Sequence, residues 1–361
     1  MSPQEQSTHA AELLVIDCEA EVERIAHQLR NILREDLHRR GLVIAMSGGI
    51  DSSVCAALAV RAVGADRVFG VMLPERDSNA ESELRATELA QMLGIDYEVQ
   101  DIAASLDAIG CYRWRDSAIR KVFPHYGDDW KSKIVIRGGG AHRFSYFALV
   151  VCDPQGHMDE RRLDAKEYLQ IVAATNYKQR IRKTIEYFHA DRLNYAVVGT
   201  PNRLEYDQGF FVKNGDGSAD VKPIAHLYKT QVYALARHMN LPESICNAEP
   251  TTDTYSLSQG QDEFYFSLPY RQMDVAIAML NSGASAEVLA EELGIPVEQA
   301  RQVFADIRRK RQTTAYLHRR PVLVGSPEVT PVASVVPLVA SGEEAVEEGS
   351  VLAGSIAAST N

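Results

Sequence analysis

The chain has 361 residues, 45% apolar and 24% charged, which is ample for a buried core and ordinary for a soluble globular protein. Lys plus Arg number 38 against 49 Asp plus Glu, a net charge of −11, which argues against a general nucleic-acid coat with its basic footprint. No apolar run reaches ~18 residues, the N-terminal MSPQEQSTHAAELL lacks a signal-peptide pattern, and the five scattered cysteines form no CxxC pair, so a cytoplasmic protein with no membrane span, disulfide framework or thiolate zinc site is expected.

In chain order, residues 11–40 read as one amphipathic helix, with Leu13, Leu14, Ile16, Val22, Ile25, Leu29 and Ile32 near helical spacing. GLVIAM (41–46) is a short apolar run of the kind found in buried parallel strands. SGGIDSS follows, and SVCAALAVRAVG reads as a helix. VFGVMLP (68–74) reads as a second strand, ESELRATELAQMLG (81–94) as a helix stopped at Gly94, and DYEVQDI (96–102) as a third strand. Strands alternating with helices predict an α/β fold, a doubly wound parallel sheet flanked by helices.

The alternation stops over 105–162, which reads as an inserted segment with two strands and a Gly-rich turn, a β-hairpin, within 133–156. A long helix is expected over 163–193, a buried strand at YAVVGT (195–200) and a helix over 227–240 ending before Pro242. SAEVLAEELGIPVEQARQVFADIRRKR (285–311) reads as two helices around a Gly-Ile-Pro turn, a plain helical hairpin rather than a DNA-reading unit. Residues 324–361 hold five glutamates and no aromatic or basic residue, so 1–323 is expected to fold and 324–361 to be a disordered acidic tail.

The strongest chemical signal is Ser47-Gly48-Gly49-Ile50-Asp51-Ser52-Ser53 between a buried strand and a helix. Two glycines allow a tight turn that aims backbone N–H groups into a cavity. The helix N-terminus adds partial positive charge, and Ser47, Ser52 and Ser53 add hydroxyls. Together these suit a pyrophosphate. Asp51 repels phosphate directly, so its place makes sense with a bridging Mg²⁺ ion. The Walker lysine of GxxxxGK[ST] is missing. The ten histidines show no HExxH or paired-ligand spacing.

SGGIDSS resembles the pyrophosphate loop of the ATP pyrophosphatases, the adenine nucleotide alpha-hydrolase-like group. Within that group the second half of the chain resembles the ammonia-dependent NAD synthetases. Gly199-Thr200-Pro201-Asn202-Arg203-Leu204-Glu205 and Gly209-Phe210-Phe211-Val212-Lys213-Asn214-Gly215-Asp216-Gly217-Ser218-Ala219-Asp220 are nearly GTxxxxE and GFFTKxGDGGAD. Leu227-Tyr228-Lys229-Thr230-Gln231 continues the pattern, Glu249-Pro250-Thr251-Thr252-Asp253 resembles EPTADL, and Asn176-Tyr177-Lys178-Gln179-Arg180-Ile181-Arg182 resembles the NxxxRxR helix. The resemblance spans roughly 15–105 and 165–320. The departures are the 105–162 insertion, TTD in place of TAD, and the tail.

The resemblance implies a C–N ligase that adenylates deamido-NAD⁺ with ATP, releases pyrophosphate, and lets ammonia displace AMP. It implies ATP contacts from Ser47, Gly48, Gly49, Asp51, Ser52, Ser53, Thr200, Lys229, Thr251 and Thr252. Asp51 and Glu205 are expected to hold Mg²⁺. Lys213 and Lys229 are expected to neutralise transition-state charge, and Asp216 or Asp220 to take a proton from the attacking nitrogen. Asn176, Arg180, Lys213 and Asp220 are expected to bind the dinucleotide. The resemblance also implies a homodimer, with free ammonia or a separate glutaminase subunit as nitrogen source and no nucleic-acid or membrane partner. An amide ligase for another carboxylate, and a non-catalytic nucleotide-binding protein, are the alternatives. The insertion is expected at the active-site rim, with Arg113, Arg115, Arg120, Lys121, Lys131 and Lys133 facing the substrate phosphates.

Overall fold

The computed structural model describes residues 13–138, 146–248, 255–257, 265–266 and 268–325. Helix α1 (Cys18–Asn31) starts where the Asp17 carboxylate accepts from Ala20 N at 3.0 Å. That cap breaks the single helix expected over 11–40. After Asn31 the chain widens into a π-helical turn, Ile32–Leu37, and leaves it through His38 at φ 51°. The next five elements follow the expected alternation: β1 (Leu42–Ala45), α2 (Ile50–Val63), β2 (Val68–Met72), α3 (Ala80–Leu93) and β3 (Asp96–Val99).

The segment 105–162 is more ordered than its sequence suggests. It holds most of α4 (Ala103–Ala108), then α5 (Cys111–Val122), β4 (Lys131–Arg137), β5 (Tyr146–Cys152) and β6 (Met158–Arg162). The expected hairpin is β4–β5, and its Gly-rich turn lies outside the described residues. The additional strand β6 is exposed on both faces, so no alternation marked it. The three strands form their own antiparallel sheet in the order β4-β5-β6.

The chain continues as α6 (Ala165–Leu193), β7 (Ala196–Val198), α7 (Arg203–Gln208), α8 (Lys229–His238), α9 (Glu243–Cys246), α10 (Tyr270–Asn281), α11 (Ala286–Leu293) and α12 (Val297–Thr314). Gly294 at φ 63° ends α11 and Pro296 opens α12, the expected helical hairpin.

The main sheet is wholly parallel, in the order β3-β2-β1-β7. Chain progress from β1 runs outward to β2 and β3, and β7 then joins on the opposite side. The crevice between the carboxyl ends of β1 and β7 is therefore the switch point, where open α/β sheets bind ligands. Leu42 and Ile44 pack with α1, α2 and α8, while Val43, Val71 and Val197 pack with α4, α5 and α6. Each such side chain contributes roughly 1.5–3 kcal/mol by burial, so the loops leaving β1 and β7 stand on a firmly held layer. The compact body ends at Arg319 and the remainder is Arg320–Asn361. Residues 320–325 are exposed and carry no helix or strand. The rest of the expected tail lies outside the described residues.

Candidate active site

A cavity of about 1650 Å³ opens over the switch point. Its floor is the β1–α2 loop. Gly48 turns the chain at φ +71°, and a Cβ there would stand 2.2 Å from Ser82 O at the start of α3. No other residue fits that turn without moving α3. Ser53 N makes a helical bond to Gly49 O, so the amides of Ile50, Asp51 and Ser52 precede the ladder, and all three residues line the cavity. The Ser47 and Ser52 hydroxyls lie 3.1 Å apart, and Ser52 Oγ also donates to Gly49 O at 3.0 Å. Arg85 Nε reaches Gly48 O at 3.3 Å and closes the loop from α3. Free amides, two hydroxyls and a guanidinium make an anion cradle.

Asp51, in the first turn of α2, faces two side chains from beyond β7. Its Oδ1 accepts from Asn202 Nδ2 at 3.0 Å, and its Oδ2 accepts from Lys229 Nζ. Asn202 is also the N-cap of α7. It accepts from Glu205 N at 3.1 Å, while Glu205 Oε2 accepts from Asn202 N at 3.2 Å, a reciprocal capping box. Gly209, at φ +69° against Thr314 of α12, ends that helix after six residues. Lys229 is buried. Desolvation works against its ammonium, yet the carboxylates of Asp51 and Glu205 raise its pKa above the ordinary lysine range. Cys55 beneath them is pushed well up by burial, with Asp51 and Glu205 adding to the effect. Both carboxylates thus act on the same small volume.

The long helix α6 forms a second wall. Asn176, Arg180 and Lys183 line the cavity together with Lys213 and Asp216 of the following loop. Arg180 Nε donates to Lys213 O at 3.3 Å, and Lys213 Nζ donates to Tyr316 O at 2.8 Å. The Asp216 carboxylate accepts from Val212 N at 2.8 Å and is raised by burial. Lys183 pairs with Glu186 at 2.7 Å in the same buried corner.

A family model described as NAD synthase matches residues 21–119 and 152–316. A protein named NH(3)-dependent NAD(+) synthetase from Rhizobium meliloti is 56% identical over 324 residues, covering 89% of this chain and 96% of that one. The chain belongs to the NAD synthase family. A solved structure described as NMN synthetase from Francisella tularensis matches with a TM-score of 0.60 at 19% identity, covering 87% of this chain and 100% of that one. An NH3-dependent NAD synthetase from Campylobacter jejuni, in complex with nitrate, matches with a TM-score of 0.56 at 20% identity, covering 86% and 100%. These two likenesses show the fold.

In this NAD synthase-family chain the cavity gathers Ser47, Gly48, Gly49, Asp51, Ser52, Thr200, Glu205, Lys213, Asp216, Lys229, Asn176 and Arg180. Two expected residues are not brought to it. Ser53 is buried, and its hydroxyl donates back to Gly49 O at 2.8 Å within α2. Asp220 instead braces β7, accepting from Val197 N at 2.7 Å and from Tyr187 Oη at 3.3 Å. Thr251 and Thr252 lie outside the described residues. None of the six cations expected to face phosphates from 105–162 lines the cavity. Arg115, for one, is buried between Asp77 and Asp116 at 2.6 and 2.8 Å. The sequence reading assigned no role to Asn202 or Arg85. Asn202 carried a usable signal, since Asn three residues before Glu at a strand–helix junction is a capping box.

Proposed function

We propose that this chain amidates deamido-NAD⁺ to NAD⁺ with ATP and ammonia, releasing AMP and pyrophosphate. The observation that carries the reading is the junction of Asp51, Lys229 and the Asn202–Glu205 box at the mouth of a lysine-free phosphate loop. The ATP-pyrophosphatase resemblance and the names of the relatives point to the same chemistry. The acceptor carboxylate attacks the α-phosphorus of ATP and pyrophosphate leaves. Ammonia then attacks the acyl carbon, AMP leaves with the carboxylate oxygen, and the nitrogen sheds one proton.

Each residue has a task in those steps. The first-turn amides of α2 and the Ser47 and Ser52 hydroxyls hold the departing pyrophosphate. Lys229 offsets the charge that grows on the phosphate oxygens, an electrostatic role worth most in a dry site. Lys213 and Arg180 hold the anionic acceptor. Asp216, whose carboxylate gains proton affinity from burial, takes the proton from nitrogen.

Asp51 and Glu205 are the residues that would hold Mg²⁺. The donor set fits the ion. Two hard carboxylates already converge on one cation, Lys229, and Mg²⁺ is commonly held by one or two carboxylates together with substrate phosphates. When bound, it neutralises phosphate charge. The expected homodimer belongs to this reading and is checked by light scattering of the purified protein.

At about 1650 Å³ the cavity exceeds the ~300–1,000 Å³ of a pocket for one drug-sized ligand, which leaves room for ATP and an acceptor together. The test is chromatography of the products formed from ATP, Mg²⁺, ammonium and deamido-NAD⁺. NAD⁺ and AMP in equal amounts are expected. ADP and phosphate as the nucleotide products would overturn the reading.

A further inference from the structure

Lys229, the cation assigned to the phosphates, is the first residue of α8. The first ladder bond of that helix runs from Val232 N to Tyr228 O at 3.0 Å, so the amides of Lys229, Thr230 and Gln231 have no intrahelical partner. Tyr228 stands at the N-cap, where a short polar side chain usually accepts from such amides. The acceptor comes instead from another helix. Asp274 of α10 takes the Thr230 amide on Oδ2 at 2.7 Å, and the Lys229 amide and ammonium also favour its charged form. One turn back on α10, the Tyr270 ring stacks on Tyr233, one turn along α8 from Lys229, with centroids 5.5 Å apart and 20° between planes. The two helices are thus fastened at two points. Lys229 and Tyr233 line the cavity, whereas Tyr270 and Asp274 stand behind it.

Asp274 has no exposed surface, and its Oδ1 meets no hydrogen-bond partner among the described residues. A carboxylate in such a place costs desolvation that an apolar residue at the same helix contact would avoid. What it fixes is the root of Lys229. A lysine stem is flexible, but this one is buried along its length and its ammonium meets Asp51. The place of Nζ therefore follows the place of the backbone, which the first turn of α8 sets. We propose that Asp274 is the positioning residue for Lys229, holding that turn so that the ammonium meets the phosphates. It touches no substrate and acts through Lys229 alone. The inference rests on the amidation reading, in which Lys229 offsets phosphate charge.

The test is a double-variant cycle, read by calorimetric binding of pyrophosphate with Mg²⁺ and by kcat for AMP formation. Asp274→Ala is expected to lower kcat by about 10- to 100-fold, the scale of displacing a reacting group by about 1 Å. It should weaken pyrophosphate about tenfold, as loss of one charged hydrogen bond does, with KM for deamido-NAD⁺ unchanged. Asp274→Leu, apolar and of similar size, is a second variant without the acceptor and should behave alike. Asp274→Asn keeps an acceptor for the Thr230 amide and restores both readouts. In a Lys229→Met background, Asp274→Ala should change pyrophosphate affinity no further. Asp17→Ala, which removes the cap of α1, should lower the urea midpoint without moving kcat.

Wild-type kcat and pyrophosphate affinity in the alanine and leucine variants overturn the inference. So does a further loss of pyrophosphate affinity in the Lys229→Met background, or an equal fall of kcat in Asp17→Ala, which marks general destabilisation. Wild-type protein that forms no AMP with deamido-NAD⁺ overturns the amidation reading itself, while the pyrophosphate cycle still decides the positioning.

Discussion

Asp51 accepts from Asn202 and Lys229 at once, so its two oxygens join both sides of the switch point. Asp51→Asn removes the charge that faces buried Lys229 and one of the two candidate Mg²⁺ ligands. A loss in kcat/KM of about 100-fold or more is expected, the scale of removing a preorganised electrostatic group. Glu205→Gln keeps an oxygen able to cap Asn202 N, so the fold should hold while the Mg²⁺ requirement rises. Titration of Mg²⁺ in both variants checks this, and wild-type half-saturation in both would remove the metal assignment. Asp274 lies beneath the same corner, accepting from Thr230 N at 2.7 Å. Burial raises its pKa from 3.8 to about 6. The folded state thus binds more protons than the unfolded chain between those values, and stability falls as pH rises through that window. The shift corresponds to about 3 kcal/mol. Asp274→Asn keeps the acceptor and removes the titration, so its urea midpoint should gain on wild type from pH 4 to pH 7. A pH-independent difference between the two would refute the linkage. At this scale the glycine and serine positions were legible because the loop needs them locally. Asp220 was misplaced because its motif gives its neighbours in sequence and not its hydrogen bonds, which run to β7 and α6.

Between elements, a buried charge network ties α6 to α5 and to the loop after β2. Lys178 Nζ donates to Glu75 at 2.9 Å and to Asp77 at 2.7 Å, Arg115 continues to Asp77 and Asp116, and Tyr112 Oη donates to Glu75 at 2.8 Å. Burial opposes ionisation of Asp77, but Lys178 and Arg115 outweigh it and hold its carboxyl below the ordinary range. Lys178→Met would leave Glu75 buried without the Lys178 ammonium and Asp77 with Arg115 as its remaining close partner, at a cost of about 3–5 kcal/mol. The melting temperature should drop by roughly 10 °C, where a solvated surface lysine would cost almost nothing. A change under 2 °C would show that the network is not stabilising. This network also explains why α5 was not legible. Its inward positions include Arg115 and Asp116 beside Tyr112, Ala118 and Ile119, so charges interrupt the apolar period that marks a helix. Strands β1, β2 and β7 were legible because both of their faces are covered and their sequences are almost continuously apolar. β6 was not, because neither face is covered.

Across the whole molecule, every residue that lines the cavity lies between Ala45 and Leu317, inside the compact unit that ends at Arg319. Residues 324–361 contribute five glutamates, no aromatic side chain and no basic one. Ordering such a segment costs ~1–2 kcal/mol per residue in backbone entropy. Its Val, Ala and Leu positions follow neither a helical nor an alternating period, so little apolar surface is arranged to offset that cost. A chain ending at residue 323 should therefore keep the wild-type kcat/KM for ATP and for the acceptor, and melt within about 2 °C of the full protein. The change expected is electrostatic. Losing five acidic groups from a chain of net charge −11 should raise its isoelectric point, weaken its retention on an anion exchanger, and move its solubility minimum to higher pH. Calorimetry, steady-state kinetics and ion-exchange elution of the two forms decide the matter. A melting point lower by more than about 3 °C, or a KM that moves with truncation, would show that the segment packs on the catalytic body despite its composition.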